Sequence, residues 1–476
     1  MMNKKINDKT MKTKQIKSLL AVLFLCASSL LSAQDKPWNL EDCIQYAIDH
    51  NITIKQLVIQ KNVAEVNVNT AKMSRLPNLN AGVIPNWGFG RVELENGTYQ
   101  NKTQQTTTLI QSTTAFSVSS STPLFTGFRI PNEIAKSKLD LETSVQNLEK
   151  AKNDLALNVA SLFLQVLFNK ELLKINQEQL DLSQAQIERT RTLVDAGKVP
   201  LSQLYDIQAQ AANDKVSVVQ AQTNLRTAML DLTQNLELQE NENFDIIAPS
   251  VGAGIAEYAG SVQPPKTVFD NAVQIKPEIK AQELQVQSAE KSLAIAKSSY
   301  YPTLSLNMNI GSSYYYLYGK HYTATPTGEL VLMTNNSFSS QFKNNMGESI
   351  GLNLSIPIFN RFSVRNQVKN ARFNIENQQL ILENAKKSLY KEIETAYLNA
   401  VSSQEKYKAA QEAIKSTSES FNYAKERYET GKSTVFEFND ARSKYIQSQS
   451  QEIQAKYDYI FRTKILDFYN GIPIKL

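Results

Sequence analysis

The sequence carries three short motifs twice, in the same order. Residues 74–79 (SRLPNL) return as 299–304 (SYYPTL), residues 122–125 (TPLF) as 356–359 (IPIF), and residues 196–198 (AGK) as 430–432 (TGK). The first pair is offset by 225 residues and the other two by 234. Solenoid units repeat every ~20–50 residues, so a period this long instead predicts two similar structural halves in one chain, with a turn at each motif.

The N-terminus has the residue order of a secretory signal. Lysines 12, 14 and 17 precede an apolar run from Leu19 to Leu25, and small residues end at Ala33. We predict that residues 1–33 are a signal peptide; the alternative is a retained membrane anchor, for which the apolar run is short. Cleavage after Ala33 removes six lysines and one aspartate, which takes the formal net charge from +5 to zero. The excess of positive charge therefore lies in the signal peptide, and it gives no support for nucleic-acid binding.

Two long stretches show apolar residues at seven-residue spacing. Between Asn132 and Ala196 there is neither proline nor glycine. One register there holds Val145, Val159, Val166, Leu173, Leu180, Ile187 and Val194, and a second holds Leu141, Leu148, Leu155 and Leu162. At an offset of 234 the pattern returns with Ile393, Ala400, Tyr407, Ile414, Phe421 and Tyr428, and with Ile375, Leu382, Leu389 and Ala396. Heptad spacing with polar flanks predicts helices that pack against each other along a narrow apolar seam. The opposite face of each helix is then expected to be exposed to water.

The predicted halves have the same order of elements. The first, residues 34–240, has a helix (about 40–75), a β-hairpin (78–125), a long helix (128–196) and a further helix (200–238). The second, residues 267–470, has a helix (about 267–300), a hairpin (303–359), a long helix (362–430) and a further helix (433–469), followed by a tail at 471–476. Residues 241–266, rich in proline and glycine, form the linker. At about 1.5 Å per residue the long helix spans roughly 100 Å, enough to lie antiparallel to the two shorter helices stacked end to end.

The hairpins are predicted from a period of two. Leu304 to Ile310 and Ile350 to Ile358 alternate apolar with polar residues, as outer-membrane strands do. The strands of the first half, 78–92 and 108–125, are poorer in apolar residues; polar loops are expected around residues 95–97 and over 319–336. Tyrosines 314, 315, 316 and 318 would form an interfacial aromatic girdle. We expect no run of about 18 apolar residues after the signal, so that only a closed β-barrel could cross a membrane. The alternative is a pair of soluble hairpins that cover a helix end.

These repeated motifs resemble those of the TolC-like outer-membrane efflux proteins. The resemblance covers residues 38–471 approximately and rests on three pairs of motifs. These are the Leu-Pro-Asn-Leu and Tyr-Pro-Thr-Leu turns, the Pro-Leu-Phe-Thr-Gly-Phe and Pro-Ile-Phe-Asn-Arg-Phe segments that lead from a strand into a helix, and the two Gly-Lys hairpins. The resemblance implies a mainly α fold with membrane β structure. A homotrimer would share one twelve-stranded barrel, four strands from each chain, above a hollow coiled-coil α-barrel in the periplasm. It also implies the partners: a periplasmic adaptor (membrane fusion) protein, an inner-membrane pump of the RND or ABC type, and outer-membrane lipid.

By position, the resemblance assigns roles to residues beside the two Gly-Lys hairpins. The hairpin tips, expected to contact the adaptor, are Gly197, Lys198, Gly431 and Lys432. The candidates for the periplasmic gate or entrance are Ser202, Gln203, Asp206, Tyr428, Ser433, Glu437 and Asp440. The alternatives are a plain helix–helix turn and ordinary solvated charges.

The carboxylates at the entrance suggest ion selectivity. Glu437 and Asp440 are three residues apart and share a helix face, so three copies, with Asp206, would form an anionic ring that favours cations. Where well-known members latch the gate with an acidic residue and an arginine, this chain has Gln203 and Ser433. Closure would then depend on hydrogen bonds of Tyr428 and Gln203, or on packing.

No pattern in the sequence indicates catalysis. The mature chain keeps a single cysteine, Cys43, and the two histidines are His50 and His321. Cys43 and His50 could share a helix face, but a Cys–His nucleophile needs a third, orienting group. Two distant histidines without a cysteine cluster do not make a metal site, and no glycine-rich phosphate loop follows a strand. We therefore predict no catalytic, cofactor-binding or metal site.

The sequence favours a passive outer-membrane exit duct for efflux or type I secretion, extending into the periplasm of a Gram-negative bacterium. Two alternatives belong to other classes of protein. One is a trimeric coiled-coil structural or adhesive envelope protein without a pore, and the other is a soluble periplasmic scaffold. The alternating strands speak against the first, because a stalk needs none.

Overall fold

The computed structural model describes residues 37–96, 103–238, 244–247, 263–324 and 330–474. The predicted signal peptide, Gly97 and most of the predicted linker lie outside the described residues. In the first half the elements are α1 (Leu40–His50), α2 (Ile52–Met73), β1 (Asn80–Asn96), β2 (Thr103–Phe125), α3 (Arg129–Asp195) and α4 (Leu201–Asn235). In the second they are α5 (Pro265–Ile275), α6 (Pro277–Ser298), β3 (Thr303–Tyr318), β4 (His321–Ala324), β5 (Leu330–Met333), α7 (Phe338–Asn344), β6 (Gly347–Ser355), α8 (Ser363–Glu429) and α9 (Val435–Tyr469).

The first helix of each half is broken at equivalent positions, where the sequence predicted one continuous helix. Asn51 separates α1 from α2, and its Oδ1 accepts hydrogen bonds from the N–H groups of Thr53 (2.9 Å) and Ile54 (3.3 Å), which caps the second helix. Lys276 separates α5 from α6 because it precedes Pro277, which disfavours the helical conformation of the residue before it. The two breaks are offset by 225 residues, like the turns at the end of these helices.

The connection between β3 and β6 differs from the predicted loop and strand. Residues 319–336, expected to be an exposed loop, contain the two paired antiparallel strands β4 and β5, and the helix α7 follows. β6 ends at Ser355 rather than at 358, since Pro357 cannot donate a backbone hydrogen bond to a neighbouring strand. Glu95 and Asn96, also expected in a loop, are the last two residues of β1.

The four long strands form one antiparallel sheet in the order β1-β2-β3-β6. Residues that pair across neighbouring strands share a face, so the registers define two faces of different chemistry. One face is apolar and exposed, with Val83, Trp87, Phe89, Val118, Met308, Ile310, Ile350, Leu352 and Leu354. The other carries mostly Gly, Ser, Thr and Asn, such as Gly82, Ser117, Ser119, Asn307, Asn309 and Asn353. The predicted alternation is therefore present across all four strands.

The described chain divides into two compact units. The first contains the described residues of Met1–Ile59, Gln146–Lys280 and Asn384–Leu476, and the second contains Gln60–Val145 and Ala281–Glu383. The second unit holds the sheet, and the first holds the main hydrophobic core. That core packs α1, the middle of α3, the C-terminal end of α4 and the middle of α9 around Val159, Phe163, Val166, Leu167 and Leu232, none more than 1% exposed.

Among the described residues, one helix is apolar enough to qualify as a membrane span by length and composition alone. An 18-residue window of α3 has a mean hydropathy of 1.2, and 39% of it is buried within the protein. Polar residues such as Asn158, Gln165 and Asn169 interrupt this stretch, so it is not a continuous apolar run. The middle of α3 instead supplies residues such as Phe163 and Leu167 to the hydrophobic core.

The heptad positions of the long helices are buried or half-buried. Val159, Val166 and Leu180 of α3 are buried, as are Ile393, Ala400, Tyr407 and Phe421 of α8. The flanks of α8 are largely exposed and polar, whereas most flanking residues of α3 are half-buried. The seam of α8 is therefore narrow, as expected for coiled-coil packing, and α3 also contributes to the hydrophobic core.

Candidate functional site at the two helical hairpin tips

Both Gly-Lys turns end a long helix in the same way. At the first turn Gly197 has φ 66°, its N–H donates to the carbonyl of Val194 (2.9 Å), and the N–H of Lys198 donates to the carbonyl of Leu193 (2.8 Å). At the second turn Gly431 has φ 71°. Its N–H donates to the carbonyl of Tyr428 (3.1 Å), and the N–H of Lys432 donates to the carbonyl of Arg427 (2.8 Å). This is the Schellman arrangement, in which glycine takes the left-handed conformation that other residues adopt only with strain.

The two tips lie side by side and are joined by an ion pair. The guanidinium of Arg189 on α3 lies 3.4 Å from the carboxylate of Glu429 on α8, and its Nη2 donates to the Glu429 carbonyl (3.2 Å). Both side chains are about half exposed, so the pair bridges the two tips but contributes little stability. The sequence reasoning missed both residues, since the helical pattern alone cannot show that position 189 faces position 429.

A cavity of about 730 Å³ lies between the tips. Five of the candidates named from the sequence line it: Lys198, Gln203, Tyr428, Gly431 and Ser433. The other six, Gly197, Ser202, Asp206, Lys432, Glu437 and Asp440, are exposed and do not line it. The structure therefore brings five of the eleven predicted residues into one cleft, and Arg189 and Glu429 are also part of its wall.

Glu437 is tied to the start of α9. Its backbone N–H donates to Thr434 Oγ1 (3.2 Å) and its carboxylate accepts from the Thr434 N–H (3.4 Å), which completes a capping box. The Ser433 hydroxyl also donates to this carboxylate, and Arg427 lies 4.0 Å away. The Ser433 hydrogen bond, followed by the bond from the Thr434 backbone, holds the pKa of Glu437 below its usual range. Glu437 consequently stays negatively charged at lower pH than an ordinary glutamate.

Asp440 and Tyr428 have different partners. The Asp440 carboxylate accepts a hydrogen bond from Lys444 one turn along α9 (2.7 Å), so its charge is partly balanced on its own helix. The Tyr428 ring stacks on Phe438 with 4.9 Å between centroids. Phe438 is 1% exposed and also contacts Phe421. The sequence left hydrogen bonding and packing open as ways to close the gate. The Tyr428–Phe438 contact is a packing interaction of the second kind.

Further along the same helices lies a buried polar cluster that the sequence reasoning missed. Arg442 of α9 is 1% exposed, and its Nη2 lies 2.7 Å from Asp214 Oδ2 on α4. The same guanidinium donates to the side-chain oxygen and to the carbonyl of Gln179 on α3, both at 2.9 Å. Asp214 also accepts from Ser183 and from Gln210. The cluster joins three helices, and no motif in the sequence marked it.

Cys43 and His50 do not come together as a nucleophilic pair. The Cys43 thiol is fully buried in the core, and burial raises its pKa to about 12. The His50 ring stacks on Tyr46, and its Nδ1 lies 2.9 Å from the Tyr46 carbonyl. Among the described residues, no group of three His, Cys, Asp or Glu side chains is placed to hold a metal ion.

Comparison with known proteins identifies the family. The family model described as outer membrane efflux protein matches residues 43–236 and 268–466, which is most of the chain. The chain belongs to the outer membrane efflux protein family. The two matched segments fall within the two halves predicted from the repeated motifs.

Relatives and solved structures agree with this assignment. Outer membrane protein TolC of Escherichia coli (strain K12) is 23% identical over 456 residues, which cover 94% of this chain and 84% of TolC. Toxin and drug export protein A of Aggregatibacter actinomycetemcomitans is 22% identical and covers 70% of this chain and 67% of its own length. The structure of CusC has a TM-score of 0.72 at 16% identity, covering 93% of this chain and 96% of CusC. The Campylobacter jejuni CmeC outer membrane channel has a TM-score of 0.69 at 16% identity, covering 91% and 86%.

As a member of the outer membrane efflux protein family, the chain is an exit channel for efflux or secretion in the outer membrane of a Gram-negative bacterium, extending into the periplasm. The predicted fold class, a mainly helical outer-membrane factor with membrane β structure, is confirmed by the shared fold. The soluble scaffold and the stalk without a pore are both wrong.

Proposed function

We propose that three copies of this efflux protein form one continuous exit duct. In this proposal the duct receives substrates from an inner-membrane pump of the RND or ABC type through a periplasmic adaptor protein. The observation that carries it is the four-stranded sheet, which leaves β1 and β6 unpaired along their outer edges among the described residues. Lipid cannot satisfy those backbone groups, so the sheet of a membrane protein must close, and four strands are too few to close alone.

The faces of the sheet support the same conclusion. Every residue of β6 is exposed in the single chain, including Ile350, Leu352 and Leu354 on the apolar face. That face suits contact with acyl chains, and the opposite face of small polar residues suits a water-filled lumen. Three copies would supply twelve strands. The partly exposed apolar seams of the long helices would pack against helices of neighbouring copies.

We place the periplasmic entrance of the duct at the hairpin tips. Gly197, Lys198, Gly431 and Lys432 would contact the adaptor, and the gate would be built from Ser202, Gln203, Asp206, Tyr428, Ser433, Glu437 and Asp440. The cavity that brings Gln203, Tyr428 and Ser433 together supports this placement. Closure would then depend on the packing of Tyr428 against Phe438 and on the Arg189–Glu429 contact between the tips.

The duct carries out no chemical step in this proposal and uses no cofactor or metal. The relatives of known name are export channels, and the Cys43 thiol is too buried to act as a nucleophile. The energy for transport would come from the pump.

Cysteine cross-linking between the two sheet edges tests the trimer. In a Cys43→Ala background, Ser349→Cys on β6 is combined in turn with cysteines at Asn80, Gly82, Ile84 and Asn86 on β1. Because β6 of one copy would pair with β1 of the next, at least one combination should give a disulfide-linked band of three chain masses on a non-reducing gel of outer membranes.

The control combines Ser349→Cys with Ser119→Cys on β2, an interior strand whose neighbours within the chain are β1 and β3. This pair should stay monomeric. If every β1 position behaves like the β2 control, the shared barrel is wrong.

A further inference from the structure

The segment around α7 occupies an edge of β3 that β6 does not reach. β6 pairs with β3 only from Thr303 to Gly311. Beyond that point the N–H of Tyr315 donates to Gln341 Oε1 (2.9 Å), and Gln341 Nε2 donates back to the Tyr315 carbonyl (2.8 Å). Asn335 makes the same pair of bonds with Leu317 (both 2.8 Å). Side-chain amides thus take the place of a fourth strand, which satisfies the exposed edge.

Two phenylalanines of α7 lie over the apolar face of the sheet. Phe116 pairs with Ser312, so it shares the face of the even-numbered residues of β3, including Tyr314. The Phe338 ring lies 5.8 Å from Phe116 and 5.3 Å from Tyr314, and the Phe342 ring lies 5.4 Å from Phe116. This is the face that carries Met308, Ile350 and Leu352. In an outer-membrane protein, α7 therefore lies on the lipid side of the sheet.

Glu348 shows at which depth α7 lies. Along β6 the apolar face runs from Leu354 through Leu352 and Ile350 to Glu348, which pairs with Ile310. A carboxylate on the lipid face is tolerated near the water interface and not in the hydrocarbon, so the hydrocarbon ends close to Glu348. Phe116 pairs with Ser312, one row further out. The rings of Phe338 and Phe342 thus lie just outside the hydrocarbon, at the level of the lipid headgroups.

The exposed side of α7 has the chemistry of an interfacial element. Phe338 remains 49% exposed although it contacts three aromatic rings, and Lys343 on the same short helix is also exposed. Aromatic rings beside a basic side chain are typical of segments that lie in a membrane interface. On the same face, Trp87 and Phe89 of β1, at 57% and 77% exposure, lie further out and in register with Tyr316 and Tyr318 of β3.

We propose that residues 335–345 form a membrane-interface anchor of the channel, with the lipid headgroup region of the outer leaflet as the occupant of the exposed Phe338 face. Its amide side chains hold it to β3, and its phenyl rings continue the lipid-facing surface beyond the end of β6. The proposal rests on the outer-membrane location of the sheet and does not require the trimer or the adaptor.

Depth-dependent fluorescence quenching tests the anchor. Trp38 and Trp87 are replaced by Phe, and one new tryptophan is introduced by Phe338→Trp. The protein is reconstituted into phosphatidylcholine vesicles whose acyl chains carry bromine either near the headgroups or near the chain ends. We expect bromine near the headgroups to cause a clear loss of emission from the introduced tryptophan and bromine near the chain ends to cause a much smaller loss.

Two matched variants make the result decisive. Leu352→Trp, on the apolar face of β6, should lose emission to deep bromine, and Ser339→Trp, next to Phe338 but on the polar side of α7, should lose little to either lipid. Quenching at 352 without shallow quenching at 338 would overturn the anchor alone. Absence of quenching at 352 would instead contradict the placement of the sheet in the membrane. Folding of each variant is checked by its helical circular dichroism.

Discussion

At the scale of single residues, charge has two different roles in this protein. Arg442 is buried and is bonded through Nε and Nη2 to groups on α3 and α4, whereas Glu437 and Asp440 are exposed near the tips. A buried ion pair contributes little net stability compared with apolar residues of similar size, but removal of one partner leaves an uncompensated buried charge. Exposed carboxylates contribute little to stability and can act on passing ions.

Arg442→Ala should therefore destabilise the protein strongly. It leaves Asp214 buried without its cation and Gln179 without two hydrogen bonds, which should cost about 3–5 kcal/mol. We expect a lower midpoint of thermal unfolding, followed by helical circular dichroism in detergent. Arg427→Ala is the control, because the Arg427 side chain is 62% exposed and its loss should cost no more than ~1 kcal/mol. The double variant Arg442→Met with Asp214→Leu should recover most of the stability; equal midpoints for Arg442→Ala and Arg427→Ala would disprove the role of the cluster.

Glu437→Gln with Asp440→Asn should lower the cation preference of the channel, because the ring of carboxylates at the entrance loses its charge. Reversal potentials in planar bilayers under a salt gradient measure this preference. Glu405→Gln is the control, since Glu405 is an exposed carboxylate of α8 that lies far from the tip in the sequence. Unchanged ion selectivity in the double variant would refute the assignment.

The pH dependence gives a second readout of the same carboxylate. The Ser433 hydrogen bond lowers the pKa of Glu437, so Ser433→Ala should raise that pKa toward the ordinary value. As the pH falls, the variant should then lose its Glu437-dependent cation preference at a higher pH than the wild-type channel does.

At the scale of elements, the two halves share geometry even where their residues differ. The breaks at Asn51 and Lys276 coincide in position, yet one depends on an asparagine cap and the other on a following proline. The tips at Gly197 and Gly431 share both chemistry and hydrogen bonds. The tips were therefore recognisable from a short motif, whereas the helix breaks were missed because neither residue alone ends a helix without its neighbours.

Charge reversal at both tips should weaken adaptor docking. Lys198→Glu with Lys432→Glu replaces two exposed cations at equivalent turns, and on the order of a tenfold loss of affinity is expected at low ionic strength. Binding of the purified adaptor to the channel in detergent measures the effect, with Lys215→Glu, an exposed position along α4, as the control. An adaptor that binds the double variant as tightly as the wild type would argue against tip contacts.

At the scale of the whole molecule, the open four-stranded sheet limits how the chain can be placed in a membrane. In the described part of the chain, β1 and β6 each have one unpaired edge, and the sheet has one apolar and one polar face. Such a sheet cannot remain open in lipid, because lipid cannot satisfy the unpaired backbone groups. The alternation of Leu304 to Ile310 predicted the faces, and the repeat predicted the number of strands. The α7 segment could not be predicted, because Gln341 and Asn335 act as strand substitutes only after the fold has placed them beside Tyr315 and Leu317.

By itself the sequence determined what is local and periodic: the duplication, the heptad seams, the two-residue alternation and the glycine turns. These follow from backbone geometry and from side-chain spacing along one element. Only the tertiary structure decided which side chains meet across elements, such as Arg442 with Asp214, Arg189 with Glu429 and Phe338 with Phe116. The reason is that a periodic pattern specifies the face on which a residue lies, whereas the partner on the opposing face depends on helix register and strand pairing over hundreds of residues.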